Sequence, residues 1–496
     1  MSYIYSNKQA FTDQFMPLKS TQSRQVRYAP TSSNTTMIQF SQVGPRNFRE
    51  VMTNLKFVCS IKATYTKGGA VDPQIFYKNF NYAITMCQVN INGSNNLSLP
   101  LSIMAPVYES YNKRFAFKND HLSDFNETVY IKSRYSVGGN DETKATNITD
   151  EIKICTSLYH PWLCAPYLGG INNMDITLNL NLNNIVANTA QITGVTFEIN
   201  DIFIIYDTYQ TDNEIFSILL PYFKYTEKTI KPTDTQGQFN TTDFKTAPLK
   251  IFVSGTYDYQ DTNINKNVDR TKSIAFNRAQ FNINNITDAY NSNDIMALYH
   301  ISKNAGYLKS FNEFTGDIIN RNYIEYSDNH IVGSGNNHDA SFKKYNTFNP
   351  CCIGLDLKDV DVNIGTDELF RFEATMYFDA DASSDRKMFI VYMYPSLFVS
   401  TRTKTDIITA ESLAGKELLA TFAYEDFDDD YYGFGFWDKI KNFGKKAFNF
   451  VKDNNLVSKG LSMAAPMLSN INPALGAAAG TAGNIAGNLG FSTKAF

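Results

Sequence analysis

His330 and His338 share one loop with Asp328 and Asp339, and together they offer the nitrogen and oxygen donors that hold zinc. The eight-residue step between the two imidazoles matches none of the short ligand spacings of zinc sites, and a solvated polar loop accounts for the same residues. His121, His160 and His300 stand apart from them. Gly333-Ser334-Gly335 lacks the full G-x-S-x-G context of a nucleophile elbow. "GAAAGTAG" at 476–483 lacks the Lys-Ser/Thr pair of a phosphate loop. "DLKDVDVN" at 356–363 alternates carboxylates as a calcium loop does, but without its glycine and terminal glutamate, and it reads as a strand edge. "DDD" at 428–430 is a solvated charge run. Paired carboxylates for glycoside hydrolysis can come from distant positions, so a sugar site stays open on sequence alone. We therefore expect no catalytic residue, no metal and no cofactor: the chain is not an enzyme.

The six cysteines, Cys59, Cys87, Cys155, Cys164, Cys351 and Cys352, form no CxxC. Most sit in apolar runs such as "FVCSI" and "ITMCQV", which predicts buried thiols in a reducing compartment. The start, "MSYIYSNKQAFTDQF", has no signal-peptide core, so sequons such as Asn126-Glu127-Thr128 are expected to stay unused. No run approaches the length of a transmembrane helix. With 45 Lys and Arg against 49 Asp and Glu, the net charge of −4 gives no global attraction to nucleic acid and does little to keep copies apart.

The elements that would carry any site are mostly strands. "MDITLNLNLN" places Met174, Ile176, Leu178, Leu180 and Leu182 on one face with polar residues between, the pattern of a sheet with one buried side. "LKFVCSIKATYT", "VTFEINDIFIIYDTY", "APLKIFVSGTYDY" and "KMFIVYMYPSLFVS" read likewise. One convincing helix, "SNDIMALYHISKNAG", has Asp294 or Asn293 as N-cap and Gly306 as terminator; its counterpart, "PLSIMAPVYESYNK", is broken by Pro106. Long polar loops, such as 327–344, are expected to be functional or interfacial. Many strands and few helices predict sandwiches or jelly rolls.

The chain also repeats itself. "QVNIN" at 88–92 returns as "QFNIN" at 280–284, and "IMA" at 103–105 returns at 295–297, both shifted by 192 (280 − 88 and 295 − 103). Over 64–112 that shift gives 12 identities in 49 positions, against roughly 3 or 4 by chance, which predicts a duplicated domain. We read 1–35 as an extended arm, 36–210 and 211–425 as two sandwiches, and 426–496 as a tail. In the tail, Trp437, Ile440, Phe443 and Phe450 recur at helical spacing among Lys439, Lys441, Lys445 and Lys446, a basic amphipathic helix before a Gly/Ala-rich end. Such a helix either packs on the sandwiches or contacts membrane, genome or a neighbouring subunit.

Two tandem sandwiches, a helix-bearing loop in each, and the stretches "AITMCQVNINGSNNLSLPLSIMAPVYESYN", "APLKIFVSGTYDY", "RTKSIAFNRAQFNIN" and "DIMALYHISKNAG" resemble the double-jelly-roll major capsid proteins of the tectivirus–adenovirus lineage, which includes virophages, polinton-like viruses and some small phages. The resemblance spans about 36–425. It implies an all-β fold of two tandem eight-stranded jelly rolls, with short helices in loops and an amphipathic C-terminal helix. It further implies pseudo-hexameric homotrimers that tile an icosahedral shell, location in the virion, and other capsid proteins such as a vertex protein as partners. The tail would face the capsid interior, neighbouring subunits, an internal membrane or the genome. The host receptor is not legible. A minor or vertex capsid protein, or a tandem sandwich that binds carbohydrate, are the alternative readings.

Overall fold

The computed structural model describes residues 24–409, apart from 68–77, 113–127, 137–146, 258–273, 315–338, 341–350, 358–369, 380–385 and shorter stretches between them. Among the described residues, eight main strands come first: β1 (Arg24–Tyr28), β2 (Met37–Val43), β3 (Glu50–Lys67), β4 (Ile84–Ile91), β5 (Asn95–Leu99), β6 (Asn147–Thr156), β7 (Met174–Leu180) and β8 (Ile192–Gln210). Eight more follow: β9 (Ile215–Ile230), β10 (Gln236–Phe239), β11 (Lys250–Tyr257), β12 (Phe276–Ile283), β13 (Ile286–Ser292), β14 (Cys352–Asp356), β15 (Phe372–Phe378) and β16 (Arg386–Thr401). Helix α1 (Leu101–Tyr111) lies between β5 and β6, and α2 (Ile295–Asn304) between β13 and β14. A nine-residue strand, Thr128–Ser136, adds to the first sheet beside β6, and short pieces at Ser32–Ser33, Leu168–Gly169, Asp339–Ala340 and Thr405–Thr409 extend the sheets.

The sheets run β1-β8-β3-β6 and β2-β7-β4-β5, then β9-β16-β11-β14 and β10-β15-β12-β13, with antiparallel pairing throughout. Adding eight to each number of the first pair of sheets yields the second pair. Each pair packs face to face as a sandwich. In the first, Phe40 of β2 meets Phe57 of β3 edge-on at 6.4 Å; in the second, Phe372 of β15 meets Tyr392 of β16 at 6.3 Å. Period-2 alternation puts Met174, Ile176, Leu178 and Leu180 inside, as their spacing predicts. Leu182 is buried too, in a short 3-10 turn after the strand. This is the double jelly roll.

The duplication is visible in the backbone. β4 and β12 start and end 192 residues apart (276 − 84 and 283 − 91). Each is followed by an asparagine in the left-handed region, Asn92 at φ 53° and Asn284 at φ 52°. The Asn92 carboxamide oxygen accepts from the Asn172 and Asn173 amides at 2.9 and 3.1 Å; that of Asn284 accepts from the Arg371 amide at 2.9 Å. Asparagine tolerates this conformation because its short polar side chain bonds locally.

Two details differ from the sequence reading. Arg24–Tyr28, inside the segment read as an arm, is an edge strand paired with β8. Its two arginines and glutamine are exposed while Val26 and Tyr28 pack on the core, so its polarity disguised it. Helix α1 runs unbroken through Pro106. The proline is the sixth of eleven helical residues, and burial of nearly every other side chain outweighs the one backbone bond it removes.

Candidate functional site: the seam between the two lobes

The most elaborately built part of the molecule is where the two sandwiches meet. Helix α1 belongs to the first lobe and packs on it, and two of its tyrosines also reach the second. Tyr108 stacks on Tyr159, with centroids 5.3 Å apart and planes 2° from parallel, and touches Phe223 of β9 at 6.1 Å. Tyr111, the last helical residue, places its ring 4.7 Å from Phe252 of β11 and 5.5 Å from Tyr307. Its hydroxyl donates to the Cys352 carbonyl at 2.8 Å. A Cβ at position 354 would lie 2.5 Å from the Tyr111 Oη, so only glycine lets the ring lie against β14. The Leu308 amide donates to the Ser110 carbonyl at 3.0 Å, joining the backbones of the two halves.

Burial pushes the Tyr111 hydroxyl well above its ordinary pKa, so it remains a donor. The same desolvation raises the Cys351 thiol to about 12 and Cys352 well above the usual thiol range. These two, with Cys59 and Cys87, are buried; Cys155 and Cys164 are half-buried, and all six stand as thiols. Without thiolate character the buried pair packs as small apolar side chains.

A second contact binds the lobes elsewhere. Gly169 leaves room for Phe216 of β9: a Cβ there would lie 2.1 Å from the ring. Phe216 also meets Phe48 edge-on at 5.5 Å. Gly170 takes φ +70°, and its carbonyl accepts the Ser400 hydroxyl at 2.7 Å. Thr405 Oγ1 lies 2.8 Å from Ser400 Oγ and accepts from Asn92 Nδ2 at 2.6 Å. The turn asparagine of the duplicated motif thus doubles as a tie to the second lobe. A further link comes from the loop around 327–344, where Asp339–Ala340 pairs with Arg134 and Ser133 of the first lobe.

Among the described residues, the histidines and carboxylates build nothing comparable. No group of three or more His, Cys, Asp or Glu is placed to hold a metal among the described residues. His160 is wholly buried: its Nε2 donates to the Leu97 carbonyl at 3.3 Å and its Nδ1 accepts from the Trp162 amide at 3.3 Å. Desolvation lowers its pKa to about 3, which keeps it neutral. His300 is exposed on α2. A cavity of about 330 Å³ opens beside β1, with Arg24, Arg27, Glu50 and Tyr206 in its lining, and holds no nucleophile with a base. His121, His330, His338, the acidic run at 428–430 and all eight tail residues, Trp437, Ile440, Phe443, Phe450, Lys439, Lys441, Lys445 and Lys446, lie outside the described residues. Among those residues no helix is long and apolar enough to cross a membrane.

Sequence reasoning named Cys351 and Cys352 as buried thiols and Asn92 as part of the repeat, but none of them as meeting the other lobe. Two faint signals were present: a glycine inside the apolar run "CCIGLD", and tyrosines closing the first copy of the repeat where the second has His300 and Lys303.

No family model matches the chain, and no curated protein matches it in sequence. Solved structures do match in fold. A chain of the Sputnik virophage, determined by cryo-EM, superposes with a TM-score of 0.57 at 16% identity, covering 83% of this chain and 94% of that one. The crystal structure of the mavirus major capsid protein gives a TM-score of 0.54 at 12% identity, covering 80% of this chain and 92% of that one. At these identities the likeness is one of fold: the whole double jelly roll is shared, and little of the sequence.

Proposed function

We propose that this chain is a viral major capsid protein that self-associates and tiles an icosahedral shell as part of the virion. The observation that carries the reading is the strand order, which recurs over eight main strands within one chain whose lobes share a seam. A single copy thereby presents two lobes of the same architecture at a fixed angle, and three copies around a threefold axis supply a pseudo-hexagonal building block. The fold likeness to the mavirus major capsid protein, nearly end to end, supports the same reading. We divide the described chain accordingly into one lobe of 24–210 and one of 215–409. The tail helix, through Trp437, Phe443, Phe450 and the lysines 439, 441, 445 and 446, would contact the shell interior, a neighbouring subunit, a membrane or the genome, and a vertex protein would complete the shell.

Light scattering of the purified chain tests the reading. A mass three times 56.0 kDa, growing to shells or sheets in negative stain, is the expected result. A stable monomer at every concentration would overturn it.

A further inference from the structure

Helices α1 and α2 are related by the 192-residue shift, yet their environments are opposite. Met104, Ala105, Tyr108 and Asn112 are buried in the first copy. Their counterparts Met296, Ala297, His300 and Asn304 are exposed, Met296 by 42%. The two large hydrophobic side chains exposed among the described residues, Ile286 and Met296, both fall in the β13–α2 unit. The sheets mirror this. β11 and β14 are buried on both faces, because Tyr108 and Tyr111 of α1 help cover the outer one. The equivalent β3 and β6 alternate: their inner residues are buried, while their outer ones, with those of β8, are half-buried, as Ser60 and Lys62, or exposed, as Lys153 and Glu198. The strands correspond as well: Phe252, which pairs with Gly354 under Tyr111, stands 192 residues after Ser60, which pairs with Lys153.

We infer that the exposed face of α2 docks on the outer face of β3, β6 and β8 of a second copy of this chain. The contact repeats between molecules what α1 makes within one. A helix of one lobe on the sheet of the next is a head-to-tail contact, which closes a ring or continues as a filament. Lobes alternating seam and interface around a ring of three copies would leave neither surface open. The intermolecular version is more polar than the seam: His300 and Lys303 replace two tyrosines, and the receiving face carries Lys62 and Glu198, 3.5 Å apart and about half exposed. That suits a surface that stays wet until assembly. This inference rests on the shell-subunit reading and names the surface it uses.

The test has two variants. Ala297→Arg places a long cation on the exposed helix face, where it disturbs no packing within the chain. Its mass should fall threefold, to that of one chain, with an unchanged near-ultraviolet circular dichroism spectrum. In a Cys155→Ser background, which removes the native thiol of the receiving face, Ser60→Cys with Lys303→Cys, the counterparts of Phe252 and Tyr111, should yield covalently linked trimers under oxidation, while either single variant should not. A wild-type trimer that survives Ala297→Arg and gives no link from the paired cysteines overturns the interface and leaves the shell reading standing. A wild-type monomer overturns both.

Discussion

Helix α1 and helix α2 descend from one element and now do different work. The first is enclosed, with ten of its eleven residues buried, including Glu109, whose carboxylate accepts the Tyr82 hydroxyl at 3.1 Å. The second is buried only at Leu298 and Ser302. Duplication gave both lobes the same sockets, and fusion into one chain filled only one of the two. The difference teaches that burial here reports which neighbouring lobe an element meets more than what its own fold requires. Position 111 holds an aromatic ring against the second lobe of the same chain, whereas position 303 holds a half-buried lysine.

The comparison breaks most readily at those two positions. Tyr111→Ala removes a ring from the seam and should destabilise the protein by about 3–5 kcal/mol, the usual cost of deleting a buried aromatic. Lys303→Ala loses contacts with Tyr299 and Tyr307, 5.4 and 5.7 Å from its ammonium, and should cost at most about 1 kcal/mol. Urea unfolding of both variants decides, and equal losses would mean that the two helices are not energetically distinct.

His160 sharpens the comparison by pH, since it follows Tyr159, on which Tyr108 of α1 stacks. Its folded pKa of about 3 lies below the ordinary 6.5, so the unfolded chain binds the proton first. Stability is therefore complete above pH 6.5 and falls by about 1.4 kcal/mol per unit below it, until the folded pKa is reached. Between pH 7.5 and 5.0 this residue alone should withdraw about 2 kcal/mol. His160→Gln should flatten that part of the pH profile.

The smallest expected difference is at the paired turns. Asn92→Gly keeps the left-handed backbone and removes bonds to the Asn172 and Asn173 amides and to Thr405, at a cost of about 1–3 kcal/mol. Asn284→Gly removes an exposed bond to the Arg371 amide and should cost under about 1 kcal/mol. Thermal unfolding midpoints of the pair rank them, and the reverse order would discount the lobe-to-lobe tie.

Much of the fold was legible because it is written in local periods. The alternation from Met174 to Leu180 gave a strand, Asp294 capped its helix through the Met296 amide at 3.1 Å, and the shift of 192 residues exposed the duplication. The seam was not legible, because its partners lie far apart in sequence. Tyr111 and Cys352 are separated by 241 residues and Asn92 and Thr405 by 313, and no local pattern encodes such a meeting. Arg24–Tyr28 was missed for a related reason: an edge strand with one neighbour needs few apolar residues, and its membership depends on Tyr206 and its neighbours in β8.

That same pairing sets the order in which the protein can be made. β1 meets β8 across 184 residues (208 − 24), and β9 meets β16 across 186 (401 − 215). Each lobe's first strand must wait for its last, a topology of high contact order that folds slowly. During synthesis the first lobe can close once residue 210 has emerged, while the outer face of its partner sheet does not yet exist. A nascent chain therefore passes through a long interval in which α1 is made while β9 and β11, which cover its tyrosines, are not, and in which β3 is an open edge until β8 arrives. Slow translation between the two lobes, or a chaperone that holds apolar helices, would protect yield more than any gain in final stability.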